Sequence, residues 1–372
     1  MPDVRTVADP TNSDELRRYL LDRLYSRWRN GEVKPGLKHL RTVLRAVLTY
    51  LPHRVARARL ADPMAPAVSG AFAQATLLFA DIAGFTAMSE RLTRLGREGA
   101  EVIAGIVNDY FATMLEIIAH HGGDLFKFGG DALLVCFSGD DAATRGCRAA
   151  LEMQQAMDRF AVLETTQGVF NLRMTAGLGT ARLFLTSLGS ADRLEFAVMG
   201  PALEQMAHAE DLAQAGEVIV DRATHEAAGT AIIARTRSPG FYHLAAMTAL
   251  PPPRTTRPPC GVAQDRPFDI AQDRPFGVAQ DKPFDIAQDR PHKEARWLTG
   301  RLDALAPYLP PGILERIVVS PESRMIEGEH RLVTVLFANF YGINAIIEAL
   351  GPDRGAEITN ILNRHFTAMR DV

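Results

Sequence analysis

Cysteine is scarce in this chain: three among 372 residues, Cys136, Cys147 and Cys260, at unrelated spacings. That excludes a disulfide framework and a cysteine-built metal site. Cys136 falls in an apolar run and Cys147 in a helical pattern, so both are expected to be inert core residues. Long hydrophobic runs are also lacking. No stretch of about 18 apolar residues occurs, and no apolar segment of signal-peptide length opens the sequence, so a cytoplasmic protein is expected. Charge of one sign is lacking too. Lys and Arg number 41 against 44 Asp and Glu, for a net charge of −3. Neither a nucleic acid nor a membrane surface is therefore expected as a partner. What is present, 47% hydrophobic and 23% charged residues, is ordinary for soluble globular protein, and the length accommodates two or three domains with proper cores.

The sequence is organised around residues 76 to 137. Thr76 to Ala80 is a short apolar run that reads as a buried strand stopping at Asp81, followed by Ile82, Ala83, Gly84, Phe85 and Thr86. Some fifty residues on, Leu125 to Phe128 reads as a strand, Gly129-Gly130 as a tight turn that tolerates positive φ, Asp131 as a second acid, and Ala132 to Phe137 as the returning strand. If these strands are neighbours, two carboxylates stand at adjacent strand ends beside bare backbone. That suits a divalent cation carrying a polyphosphate. Either acid alone reads more readily as a turn former; the pair, with Lys127 nearby, shifts the balance.

On either side, the chain divides by pattern. Residues 1–70 are helical in periodicity and basic, with 13 Lys and Arg against 6 Asp and Glu in the first sixty. Asn12 and Glu15 could form a capping box. Gly31 and the turn Lys34-Pro35-Gly36 are expected to separate a first helix from a second over Leu37 to Leu48, with the basic side a solvated face. Residues 71–250 form the domain holding both acids. Its long helix is expected from Glu98 to His121, a second from Ala142 to Phe160, strands over Leu172 to Leu178, Ala181 to Leu188 and Leu194 to Val198, then a helix from Pro201 to Ala215 and a short strand to Val220. Residues 251–295 are dominated by an octad repeat, AQDRPFDI and its variants, with proline at 267, 275, 283 and 291. That interval argues against any long helix or central strand, so a flexible insert is expected. Residues 296–330 read as a helical linker, and residues 331–372 as a second beginning. Tyr50-Leu51-Pro52 recurs as Tyr308-Leu309-Pro310, and Phe79-Ala80-Asp81 as Phe337-Ala338-Asn339, both at an offset of 258. The second copy reaches only one strand and one helix by Val372, so the sequence is expected to be a fragment of a longer protein.

The wording F-A-D-I-x-G-F-T with K-F-x-G-D-A resembles the catalytic domain of the class III nucleotidyl cyclases, from about Ala75 to Asp221. The resemblance implies an α+β, ferredoxin-like cyclase fold, an antiparallel-rich sheet with packed helices. It implies conversion of a nucleoside triphosphate, ATP by the tandem likeness below, to a cyclic nucleotide and pyrophosphate with two ions of Mg²⁺ or Mn²⁺. Asp81, Asp131 and the backbone of Ile82 would be the metal ligands, and Ala83, Gly84, Phe85 and Thr86 the phosphate cradle.

The sequence departs from the family pattern between Glu195 and His208. Glu204 stands where the family has Asn, His208 where it has Arg, and Ala197 where a residue reads the purine edge. Asn339 replaces the first acid in the second copy. Complementary losses resemble the tandem domains of the bicarbonate-responsive soluble adenylyl cyclases, with one composite active site shared with a second cyclase domain and one degenerate site. Lys127 matches that group's effector-pocket lysine, but Ala207 stands where its arginine belongs. A regulatory pseudo-cyclase that binds nucleotide or metal without turnover is the alternative. A diguanylate cyclase, invited by Gly129-Gly130-Asp131, fails at Ala132.

Overall fold

The computed structural model describes residues 13–165, 167–248, 286–310, 312–323 and 342–370. Asn12, most of the octad repeat, the apolar run 332–338 and Asn339 lie outside the described residues. The chain opens with four helices, α1 (Ser13–Arg17), α2 (Asp22–Arg29), α3 (Val33–Leu48) and α4 (His53–Ala61). Strand β1 (Ser69–Ala83) leads into α5 (Phe85–Thr93) and α6 (Arg97–His120), followed by the hairpin β2 (Asp124–Gly129) and β3 (Ala132–Ser138) and by α7 (Ala142–Ala156). Next come β4 (Leu163–Thr165), β5 (Gly168–Phe170), β6 (Arg173–Ser190), β7 (Arg193–Met199), α8 (Pro201–Asp211), β8 (Val218–Asp221), α9 (Arg222–Ala228), β9 (Ile232–Ser238) and β10 (Phe241–Met247). Helices α10 (Ile286–Leu305), α11 (Ile313–Val319), α12 (Ile343–Leu350) and α13 (Gly355–Arg370) complete the described chain.

These elements form two compact units. The first is helical: α1 to α4 join α10 and α11 around one core that holds Leu40, Val43, Leu44, Leu298, Leu302 and Leu305, all fully buried. The apolar sides of the opening helices are thus sequestered, while basic residues such as Arg17, Arg18 and Lys38 are exposed. Pro35 and Gly36 do not break α3 but sit in its first turn, where a proline costs little because those N–H groups have no intrahelical acceptor. The last octad is a second correction. Helix α10 runs through Pro291, held by the burial of Ala295 and Leu298 one and two turns later.

The second unit is an α+β sheet with the order β2-β3-β1-β6-β8-β10-β9, while β7 pairs with β6 and β4-β5 stand apart. Strands β6 and β8 are parallel, with β7 and α8 between them in sequence. The expected break between two strands near Thr180 is absent. All of Ser69 to Ala83 pairs with Ser187 to Arg173, so β6 is one continuous strand. The main core lies between the sheet and α6 and α7, around Leu78, Tyr110, Met114, Phe137, Cys147 and Leu178. Helix α6 is long and apolar enough, by length and composition, to cross a membrane, yet Tyr110, Met114 and Ile118 are fully or almost fully buried in this core. Helices α12 and α13 pack onto the same unit, where Ile347, Ile358 and Leu362 meet Phe184 and Leu188.

Candidate functional site

Strand β1 alternates toward the core at Leu78, Ala80 and Ile82, which leaves Asp81 on the other face. The strand does not stop at this acid, as expected from sequence, but continues to Ala83 because β6 pairs with it throughout, Asp81 opposite Thr175. Asp131 comes from the β2-β3 hairpin. Gly129 pairs with Ala132, so Gly130 and Asp131 form the two-residue turn, with Gly130 at φ 74°. Strands β1 and β3 are neighbours in antiparallel register, Ala80 opposite Leu133. One step past that pair on β1 is Asp81; two steps before Leu133 is Asp131. The nearness shows in the Asp131 carboxyl, which burial pushes above the usual range and the charge of Asp81 pushes further, against a lowering backbone hydrogen bond.

The backbone after Asp81 turns sharply. Ile82 is buried, Ala83 ends the strand, and Gly84 caps α5 in the left-handed region at φ 95°. A Cβ on Gly84 would sit 2.7 Å from the Asn171 carbonyl oxygen, so only glycine fits this turn without strain. Phe85 and Thr86 then open α5, with their N–H groups at the positive end of its dipole. Lys127 is exposed on β2, opposite Leu134 and two strands from β1.

From sequence, Tyr110 is one apolar residue among several on α6. The structure buries it completely, with its hydroxyl donating to Met174 Sδ at 3.9 Å. Burial pushes its hydroxyl pKa up, and the charges of Asp81 and Asp131 add to the rise. Tyr110 is thus a core residue whose hydroxyl feels the charge of both acids. The available signal is a lone tyrosine on an otherwise aliphatic helix face, whose hydroxyl has to find a partner when buried.

Helix α8 carries Glu204 and His208, two of the positions expected to be degenerate. It lies directly on bare β6 backbone. A Cβ on Gly177 would come 2.4 Å from Met206 O and Glu210 N, and one on Gly179 2.6 Å from Ala202 O. Thr175 Oγ1 donates to Glu210 Oε1 at 2.6 Å and fixes the far turn. Exposed Glu204 accepts a hydrogen bond from Asn344 Nδ2 of α12. One turn on, the His208 ring lies 4.5 Å from that of Phe241. Ala197 and Met199 of β7 pack against the cluster that α12 and α13 form with Phe184. The positions expected to be degenerate are thus in protein contact: Ala197 and Glu204 with the chain after residue 342, and His208 with β10.

Among the described residues no group of three or more His, Cys, Asp and Glu side chains converges. Two carboxylates and the Ile82 carbonyl make an all-oxygen donor set. That fits a hard cation such as Mg²⁺ or Mn²⁺ completing its shell with phosphate and water, and not a zinc site built from nitrogen and sulfur.

Residues 68–240 match the family described as the adenylate and guanylate cyclase catalytic domain. Adenylate cyclase 1 of Rhizobium meliloti (strain 1021) is 29% identical over 143 residues, covering 37% of this chain and 21% of that protein. Adenylate cyclase type 10 of Oryctolagus cuniculus is 30% identical over 166 residues, covering 43% of this chain and 10% of that protein. The chain therefore spans less than a quarter of the length of these curated relatives. Among solved structures, the guanylyl cyclase Cya2 is 29% identical with a TM-score of 0.42, over 49% of this chain and 96% of that one.

Proposed function

We propose that this chain, whose residues 68–240 match the adenylate and guanylate cyclase catalytic domain family, supplies the metal-binding half of one composite active site that converts ATP to cyclic AMP and pyrophosphate. The observation that carries the reading is the pair Asp81, on β1, and Asp131, in the turn that leads into the neighbouring strand β3. Asp81, Asp131 and the Ile82 carbonyl would hold Mg²⁺ or Mn²⁺, and such ions, when bound, supply Lewis-acid activation of the ribose 3′-oxygen and neutralise the triphosphate. Backbone N–H groups of Ala83 to Thr86 orient the phosphates. The names of the relatives favour ATP among nucleotides.

The transition-state donors are absent from α8, because Glu204 and His208 replace an amide and a guanidinium. Each such donor is worth roughly 10²–10³ in rate. A second cyclase domain carrying Asn and Arg is therefore the required partner. The test is a titration of ATP, GTP and UTP with and without Mn²⁺ on the wild type and on Asp81→Ala. Metal-dependent ATP binding that Asp81→Ala abolishes supports the assignment; unchanged binding in the variant refutes it. Cyclic nucleotide formation should be weak for the chain alone and rise when the complementary domain is added. Failure of every such domain to raise it would favour the second reading, a regulatory pseudo-cyclase, which the protein contacts of Glu204 and Ala197 support.

A further inference from the structure

The helical unit is built from two stretches that the sequence repeat equates. At the offset of 258 residues that carries Tyr50-Leu51-Pro52 onto Tyr308-Leu309-Pro310, the buried residues Leu37, Leu40, Leu44, Val47 and Leu51 fall on Ala295, Leu298, Leu302, Leu305 and Leu309. All ten are buried in one core. Each set follows the alternating three-and-four spacing of a helix–helix seam. Helix α3 packs against its own equivalent, α10. Helix α4 lies against α10, and its equivalent α11 lies against α3. This reciprocal exchange is the signature of a two-fold interface, here closed within one chain.

The symmetry fails at its polar edges. Arg41 Nε donates to Glu294 Oε1 at 2.6 Å, but the equivalent of Glu294 is Gly36 and that of Arg41 is Thr299. Tyr19, fully buried, donates its hydroxyl to Asp303 Oδ1 at 2.6 Å, and Arg18 reaches the same oxygen. The equivalent of Asp303 is Arg45. Two copies of the first stretch placed in this arrangement would leave Arg41 without its carboxylate. They would also strand the Tyr19 hydroxyl and set Arg45 against Arg18. Matched apolar seams with mismatched polar edges allow one pairing and penalise the other.

We propose that the helical unit is a heterotypic pairing module. It joins the stretch leading into the first cyclase-type copy to the stretch leading into the second, in preference to pairing two chains through the same helices. Tethering makes this pairing independent of protein concentration. The role in bringing cyclase copies together rests on the cyclase reading; the pairing preference does not, and its test involves no nucleotide.

The experiment is amide hydrogen exchange on the full chain at two protein concentrations a hundredfold apart. Wild-type protection of α3 and α10 should be equal at both. Arg41→Glu should lower protection in both helices together by about fivefold, the scale of an exposed ion pair, and adding Glu294→Arg should restore it. Asp303→Ala, which strands the buried Tyr19 hydroxyl, should lower it by roughly tenfold or more. Protection that rises with concentration would overturn the proposal. So would loss confined to the substituted helix in both Arg41→Glu and Asp303→Ala, or a reversed pair that fails to recover. Asp303→Ala provides an independent check should Arg41→Glu perturb α3 alone through its own helix, since Asp303 lies on α10.

Discussion

Replacing Gly84 by alanine should unfold the cyclase-type unit at lower denaturant, and the size of the effect follows from two structural quantities. The residue sits at φ 95°, where a non-glycine residue costs on the order of 1–3 kcal/mol. Its added Cβ would meet the Asn171 carbonyl oxygen at 2.7 Å. That is backbone, which cannot rotate away, and such overpacking adds roughly 1–3 kcal/mol. Partial relaxation makes the two terms less than additive, so about 2–4 kcal/mol is expected. Gly105 provides the control. It is exposed in the interior of α6, at ordinary φ, and a Cβ there would meet nothing within 4 Å, so the same substitution should stabilise by about 0.5–1 kcal/mol. The chain also offers a probe of each unit. Both of its tryptophans, Trp28 and Trp297, belong to the helical core, so tryptophan fluorescence follows that unit while circular dichroism follows both. Urea unfolding of Gly84→Ala and Gly105→Ala should therefore move the dichroism transition in opposite directions and leave the tryptophan transition in place. Shifts of the same sign, or a Gly84→Ala midpoint equal to wild type, would refute the reasoning.

Two further outcomes follow from contacts in the second unit. Burial lowers the pKa of His121, against the raising effect of Glu152, whose Oε2 lies 2.6 Å from Nε2. A histidine whose folded pKa is depressed favours its neutral form in the native state, so stability should be full above the unfolded value of 6.5 and decline as pH falls below it toward the folded pKa. His121→Gln should flatten that slope in thermal melts between about pH 7 and 5; an unchanged slope would assign it to other groups. Glu204→Ala and Asn344→Ala should each loosen α12, and the double variant should lose less than the sum of the two by about 1 kcal/mol. Strict additivity in a double-mutant cycle would mean that the Asn344–Glu204 contact carries no coupling.

What is legible in the sequence is mostly local. The hairpin at Gly129 to Asp131 and the long helix α6 are readable because turn chemistry and periodicity act over a few residues. Adjacency of β1 and β3, on which the acid pair depends, is only a condition until the sheet order meets it. The extent of β1 and β6 escapes a local reading because paired residues support each other across 104 positions of sequence, overriding Gly177 and Gly179, which look like breaks. Those glycines instead let α8 lie on the strand. The hairpin β9-β10 goes unread in the sequence above, although Pro239-Gly240 between two β-rich runs is a turn signal. Pro35 and Pro291 look like helix breakers; one is harmless by position, and the other is overridden by burial along the seam. For the site, the type and place of the two acids are readable. The burial of Tyr110 within the field of both acids is not, because nothing local distinguishes such a tyrosine from any other on an apolar helix face.

The split origin of the helical unit has a consequence during synthesis. Its first four helices end at Ala61, and their partner α10 begins only at Ile286. At roughly 5–20 residues per second, the ribosome needs on the order of 10–50 s to bridge that gap. Through that interval Leu40, Leu44 and Val47 emerge with no counterpart, whereas strands β1 to β10 emerge consecutively and can assemble meanwhile. The nascent chain thus carries an adhesive helical segment ahead of a folding sheet. Each octad added to the repeat lengthens the wait, so the length of that tract tunes how long the emerging chain needs protection from aggregation.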